Sequence, residues 1–429
     1  MGTGQFRPAS QRWSFIRRTA VVLTLSAAIG ALSQASSTSP ANSTHPSGWS
    51  TRPPSLVGRA VLPFDTFAGG PPAGAFVVPS TQNGVTFPLP EQPVEGFSAI
   101  IDGHRPGEYL AMEDNGFGSK ANSRDFLIRA YFIRPHFKTS HGGSGTVKVA
   151  DFISFRDPDH KLAFPIVNED TRRRLLTGAD IDPESLQRGP NGDLWVGDEF
   201  GPWILHFDRR GRLLDPPYEV AGIKSPNNPT LNGAAASQPN SRGFEAMAIS
   251  PNGKFLYAAL EGATLADADQ TRRNIYEFSI RRHAFTGRER HYRTESPGNL
   301  IADMSAVGRH HLVVIERDGG SGVNALFRRL YQVDLWHTES TGAQLKTQLV
   351  DLTAIPDPHH VSLPAIHPGD LGLGDPFWVM CESVEAVHLV ARKRLLVGCD
   401  NNLPNSGRNP ARPDDNELIL VAVPALRRR

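Results

Sequence analysis

One pattern recurs five times along this chain and restricts the folds open to it. A short apolar strand, a tight turn and a second apolar strand carry one carboxylate where the pair opens and another where it closes. The clearest copy runs from Arg242 to Ala263. Glu245 precedes Ala246-Met247-Ala248-Ile249, Pro251-Asn252-Gly253-Lys254 has turn chemistry, and Phe255 to Leu260 is a β-prone run ending at Glu261. The other copies open at Glu95, Glu184, Asp303 and Glu385, and close at Glu113-Asp114, Asp198-Glu199, Glu316-Arg317-Asp318 and Asp400-Asn401-Asn402.

Each hairpin is followed by a third β-prone run, at 126–130, 204–207, 275–278, 330–333 and 418–421. For most a fourth can be drawn, at 147–150, 218–220 and 348–351. Four-stranded antiparallel units repeated along a chain predict an all-β fold, a β-propeller of five or six four-stranded blades. The longer spacings, 89 residues from Glu95 to Glu184 and 82 from Asp303 to Glu385, leave room for a degenerate sixth. The fifth unit runs out of chain after Val423, so the N-terminal run Leu56–Leu62 is expected to supply its missing strand and close the ring. The 40 Gly and 35 Pro, spread along the chain, agree with many short strands and tight turns.

In a propeller the inner strand starts and the second strand ends on the same face, so the acids converge on one mouth of the central channel. Unpaired like charges at close range raise one another's pKa, and burial adds to the cost. A cation resolves the conflict. Ligands that are all oxygen favour Ca²⁺, with Mg²⁺ or Mn²⁺ as alternatives, and two cysteines are too few for a thiolate site. Those two, Cys381 and Cys399, fall just before the first strand and at the end of the second strand of the last hairpin, where antiparallel pairing favours a disulfide.

The first 35 residues read as a signal peptide: Arg12, Arg17 and Arg18 precede an apolar run, Ala20–Leu32, and Ser33-Gln34-Ala35 resembles a cleavage site. Residues 36–55, rich in Ser, Thr, Pro and Asn, read as a flexible linker, and 56–424 as the folded domain. Export to the extracellular space or the cell envelope follows, by a general or twin-arginine route, and no other segment is long and apolar enough to span a membrane. Cleavage would remove four of the 45 Lys and Arg and none of the 44 acids, leaving a slightly acidic chain with no nucleic-acid footprint.

Arg242-Gly243-Phe244-Glu245-Ala246 with its following hairpin, Asp182-Pro183-Glu184-Ser185, Ile315-Glu316-Arg317-Asp318 and Cys399-Asp400-Asn401-Asn402 resemble the phytase-like, or esterase-like phytase, family of exported proteins. The resemblance covers roughly residues 57–423 and implies phosphate-ester hydrolysis without fixing a substrate. No single catalytic signature transfers, so it carries over only the propeller and its acidic mouth.

The residues themselves then suggest a metal-assisted hydrolysis of a small phosphate ester. Glu95, Asp114, Glu184, Glu245, Glu316, Glu385 and Asp400 are candidate metal ligands. Glu245, Asp198 and Glu261 are candidates for orienting the attacking water. Arg242, Arg317 and Arg124 are candidates for gripping the phosphate, each equally able to serve as an ion-pair partner of a neighbouring acid. An insertion at 353–380, with His359, His360 and His367, is placed at the same mouth. No Gly-x-Ser-x-Gly elbow, P-loop or dinucleotide fingerprint occurs. Two other readings stay open: a Ca²⁺-dependent lactonase or carboxylesterase propeller, and a propeller that binds a ligand or protein and catalyses nothing.

Overall fold

The computed structural model describes residues 52–427. The expected signal peptide and all but the last residues of the expected linker lie outside the described residues. Within them the protein is all-β, and the one helical element is a 3₁₀ turn at Gly322–Asn324. Among the described residues no helix is long and apolar enough to cross a membrane.

The described residues open with β1 (Ser55–Leu62) and a small hairpin, β2 (Thr81–Gln82) and β3 (Val85–Thr86). Four-stranded antiparallel units follow in chain order. The first is β4 (Phe97–Asp102), β5 (Tyr109–Glu113), β6 (Arg129–His136) and β7 (Thr146–Ser154). The second is β8 (Pro183–Arg188), β9 (Leu194–Asp198), β10 (Trp203–Phe207) and β11 (Tyr218–Glu219). The third is β12 (Ala246–Ile249), β13 (Phe255–Ala259), β14 (Arg272–Ser279) and β15 (Ala284–Arg293), and the fourth β16 (Leu300–Ala306), β17 (His311–Arg317), β18 (Arg328–Thr338) and β19 (Gln344–Asp351). The last three strands are β20 (Ser383–Ala391), β21 (Arg394–Asp400) and β22 (Asn416–Ala422), and β1 lies antiparallel on β22 from Ser55↔Ala422 to Leu62↔Asn416. This N-terminal strand also touches β7 through one parallel pairing, Val61 with Thr146.

The arrangement is propeller-like. The innermost strands neighbour one another in the order β4, β8, β12, β16, β20 and back to β4. The long spacings that left room for another unit, between β7 and β8 and between β19 and β20, contain no further named strand. Apolar side chains fill the space between adjacent units: Trp195 and Ile204 of the second pack on Phe244, Met247 and Phe278 of the third. Cys381 and Cys399 form a disulfide across the β20–β21 hairpin, with Cα atoms 6.1 Å apart.

Candidate metal centre

The register of the inner hairpins explains how the acids meet. In four inner strands one residue is extra to the ladder: Ser98 in β4, Glu184 in β8, Ala302 in β16 and Glu385 in β20. Such a bulge turns the extra side chain away from the regular alternation. In the third unit the equivalent residue is Glu245, whose N–H donates to Gly243 O as the Ser98 N–H donates to Gly96 O. A second tier comes from the returning strands. Asp114, Glu199 and Glu261 donate their N–H groups to Gly96, Asp182 and Gly243, while Arg317 pairs with Leu300 and Asp400 with Ser383. Ten equivalent positions thus form two tiers of five, and seven of them are acids.

These tiers border one cavity of about 300 Å³, which nine carboxylates line together with only two guanidinium groups, Arg242 and Arg317. Three groups of carboxylates bring ligand oxygens within 4.8 Å of one another: Asp182, Glu184 and Glu199; Glu184, Glu245 and Glu385; Glu199, Glu245 and Glu261. Glu184, Glu199 and Glu245 each belong to two groups and link them into a chain.

Burial, and then the neighbouring carboxylates, push Glu184, Glu199 and Glu245 well above the usual carboxylate range. Asp114 is pushed up to about 8 by burial and by Asp182. Asp182 Oδ2 accepts from Asn115 Nδ2 at 2.7 Å, but its Oδ1 is buried without a hydrogen-bond partner. Gly96 lets Asp114 sit close: at φ +62 it occupies backbone space that glycine favours, and a Cβ there would stand 2.5 Å from Asp114 Oδ1.

The structure brings Asp114, Glu184, Glu245, Glu261, Glu385 and Asp400 to this cavity with Arg242 and Arg317. Both arginines are engaged by acids there, Arg242 with Glu261 Oε2 at 2.7 Å and Arg317 with Glu385 Oε1 at 2.7 Å.

Four expected site residues are placed elsewhere. Asp198 stands one position before the second-tier residue Glu199, and strand alternation turns it inward. Its oxygens accept from the N–H groups of Asp182 and Gly201 at 2.8 and 2.7 Å, and burial raises its pKa to about 7. Glu316 precedes Arg317 in the same way. It accepts from Tyr292 Oη, Asn299 Nδ2, Lys346 Nζ and the Glu295 N–H, which fill its acceptor sites. Glu95 is equivalent to Arg242 rather than to Glu245, so it lies beside the tiers rather than in them, fully buried, with neither oxygen hydrogen-bonded. Arg124 is exposed, its guanidinium 5.3 Å from the Phe76 ring centre.

Two further expectations fail. Asp303 follows its bulge and accepts from the N–H groups of Met304 and Val387 instead of opening onto the cavity. The insertion packs beside β1, with the Leu56 N–H donating to Pro356 O, and none of its histidines lines the cavity. Asp182, Glu199 and Glu382 complete the nine carboxylates without being among the expected site residues. For Glu95 the sequence holds a corrective signal: aligning Gly96-Phe97 with Gly243-Phe244 puts Ser98, not Glu95, opposite Glu245.

An all-β, propeller-like architecture with an acidic mouth is the class that fold and site define. The chain belongs to the phytase-like family, described as esterase-like activity of phytase, whose model matches residues 92–403. An uncharacterized secreted protein of Arthroderma benhamiae is 30% identical over 111 residues, a match that spans 22% of each chain. Among solved structures, a protein from Dyadobacter fermentans is similar at 10% identity, with 87% of this chain and 96% of that one covered and a TM-score of 0.40. A GH43 β-1,3-galactosidase is similar at 10% identity, with 83% of this chain and 60% of that one covered and a TM-score of 0.40.

Proposed function

We propose that this protein is an exported, metal-dependent hydrolase of small phosphate esters, a five-bladed propeller closed by β1, with its active site at the acidic mouth. The observation that carries the reading is the imbalance of charge in one cavity: nine carboxylates against two guanidinium groups already bound to acids. Buried carboxylates in such excess stay ionised only beside a cation, and oxygen ligands without a thiol or imidazole suit Ca²⁺ before Mg²⁺ or Mn²⁺. The unpartnered Asp182 Oδ1 is a lone pair of the kind such an ion would take up.

Glu184, Glu199, Glu245 and Asp182 would hold the cation, with Glu385 and Glu261 flanking it. A bound divalent ion supplies charge to a phosphoryl oxygen and acidifies a coordinated water. The chain's own contribution is positional. Arg317 ties Glu385 and Glu261 together across the cavity through one nitrogen. Arg242, with about a third of its side chain exposed, is the guanidinium that a substrate anion reaches from solvent. A carboxylate of the second tier is suited to orient and deprotonate the attacking water. The leader-like N-terminus, the disulfide and the secreted fungal relative support export.

A second reading is a Ca²⁺-dependent carboxylic-ester or lactone hydrolase, favoured by the engagement of both arginines with acids rather than with open space. One experiment separates the two: turnover of aryl phosphate mono- and diesters and aryl acetates by the purified chain, before and after chelation, with Ca²⁺, Mg²⁺ and Mn²⁺ restored singly. Phosphate-ester turnover that stops with the chelator and returns with one ion supports the first. Acetate turnover alone moves the assignment to the second, and silence of the folded protein on the whole panel refutes both.

A further inference from the structure

The opposite end of the second unit carries a cluster of different chemistry. His206 on β10 lies flat against Trp195, its cross-strand partner, with ring centres 3.9 Å apart and planes within 7°. Its Nδ1 stands 2.6 Å from Asp215 Oδ2 and its Nε2 3.3 Å from Asp193 Oδ2. His283, in the turn between β14 and β15, brings Nδ1 within 3.5 Å of the same Asp215 oxygen and 3.0 Å of the Tyr218 hydroxyl. Its backbone is left-handed, at φ +50, an uncommon conformation for a residue other than glycine. Ligand atoms of His206, Asp215 and His283 all lie within 4.8 Å of one another. His206, His283 and Asp193 also border a cavity of about 430 Å³.

We infer that His206, His283 and Asp215 form a binding site for a divalent transition-metal ion of zinc's class, separate from the acidic mouth. Two imidazoles and one carboxylate are a donor set for Zn²⁺ rather than for Ca²⁺. Asp193 offers the arrangement usual around a metal-bound imidazole: with an ion replacing the proton shared between Nδ1 and Asp215, the ring would donate Nε2–H to Asp193 Oδ2, 3.3 Å away, and present Nδ1 to the ion. Stacking on Trp195 holds the ring in that plane. The adjoining cavity leaves a further coordination position for water or a small ligand. The two sites do not share residues. The five residues of β9 lie between Asp193 and Glu199, and at about 3.3 Å per residue they put roughly 16 Å of strand between the sites.

The test uses the full chain purified without metal and held in excess Ca²⁺ to occupy the mouth, titrated with Zn²⁺ against a chromophoric chelator. One Zn²⁺ per chain is expected, with Co²⁺ in its place giving a visible spectrum of nitrogen ligation. His283→Ala, an exposed turn substitution, weakens Zn²⁺ at least tenfold and removes the Co²⁺ spectrum. Asp193→Asn weakens Zn²⁺ by about 10- to 100-fold with the ligands intact. The double variant Glu184→Gln, Glu245→Gln binds Zn²⁺ as the parent does, which keeps this inference independent of the function proposed for the mouth. No Zn²⁺ uptake in the presence of Ca²⁺, or unchanged affinity in His283→Ala, overturns the assignment and leaves His206 as a structural ring held between Asp215 and Asp193.

Discussion

Arg317 Nη2 lies 2.7 Å from Glu385 Oε1, and the same nitrogen reaches Glu261 Oε1 at 3.3 Å and Glu245 Oε1 at 3.9 Å. One guanidinium of the fourth unit therefore offsets three carboxylates from the two units beside it, Glu245 and Glu261 of the third and Glu385 of the last. Its equivalents in the other units, Asp114, Glu199, Glu261 and Asp400, are all acids, so the fourth unit supplies the cation of the second tier. Removing one partner from a buried ion pair strands the other charge, which costs about 3–5 kcal/mol. Arg317→Ala is expected to lose stability of that order at pH 8 in chelator. The loss should shrink at pH 5, where Glu245 and Glu261, raised by burial, take up protons, and on addition of Ca²⁺. Equal unfolding midpoints for parent and variant at pH 8 would refute the offsetting role.

Glu245 and Glu184 are shared between carboxylate groups, so each should matter more to a cation than an acid belonging to one group. Glu245→Gln and Glu184→Gln are expected to lower metal-dependent turnover by about two orders of magnitude, in line with the several kcal/mol that a cation lends a phosphoryl transition state. The same substitutions remove a buried like charge, so the metal-free variants should unfold no earlier than the parent. Calorimetric Ca²⁺ titration and thermal melts in chelator measure the two halves separately.

Asp198 and Glu199 are neighbours with opposite duties. Asp198→Asn exchanges one carboxylate acceptor for an amide donor facing a backbone N–H and should cost about 1–3 kcal/mol, with Ca²⁺ affinity retained in the folded fraction. Glu199→Gln should do the reverse, weakening Ca²⁺ while leaving the melting temperature near that of the parent. A denaturant titration paired with a Ca²⁺ titration for each variant checks the assignment.

The repeat made the architecture legible, because hairpins with turn chemistry and a two-residue period announce strands whatever their partners are. It also made the convergence of acids legible, since every unit delivers its strand ends to one face. What the sequence left ambiguous was register by a single position. Asp198 against Glu199, and Glu316 against Arg317, differ only in which face alternation gives them. That depends on a bulge in the partner strand, which leaves no composition signal. Glu95 misled because it opens its copy with the expected residue type, although the Gly-Phe pair beside it sets a different alignment. The His206, Asp215 and His283 cluster was invisible for another reason: its members come from a strand and two loops, distant in sequence and without a shared motif.

Cys381 and Cys399, 18 residues apart, clamp the hairpin whose unit also takes in β1. Closing a loop of that length in the unfolded chain corresponds to about 3 kcal/mol in the chain-entropy model. The double variant Cys381→Ala, Cys399→Ala should lose stability of that order, and hydrogen exchange should quicken first in β20, β21 and the β1–β22 pairing. Loss of protection spread evenly over all units would count against a local clamp.

The raised acids of the mouth fix the sign of the pH dependence in the metal-free protein. A carboxyl whose folded pKa exceeds its unfolded value holds a proton in the folded state that the unfolded chain has already released, so stability falls as pH rises between the two values. For Asp114 that window runs from its ordinary value of 3.8 to about 8, and Glu184, Glu199 and Glu245 shift in the same direction. In chelator the melting temperature is therefore expected to drop from about pH 6 to about pH 8. Ca²⁺ binds the ionised carboxylates, so its saturation should flatten or invert that slope, and its affinity should rise with pH over the same window. Asp114→Asn removes one titrating group and should make the metal-free slope shallower. Thermal melts across this range, with chelator and with Ca²⁺, measure both slopes, and a metal-free protein that grows more stable toward pH 8 would show that the mouth is not an uncompensated cluster of acids.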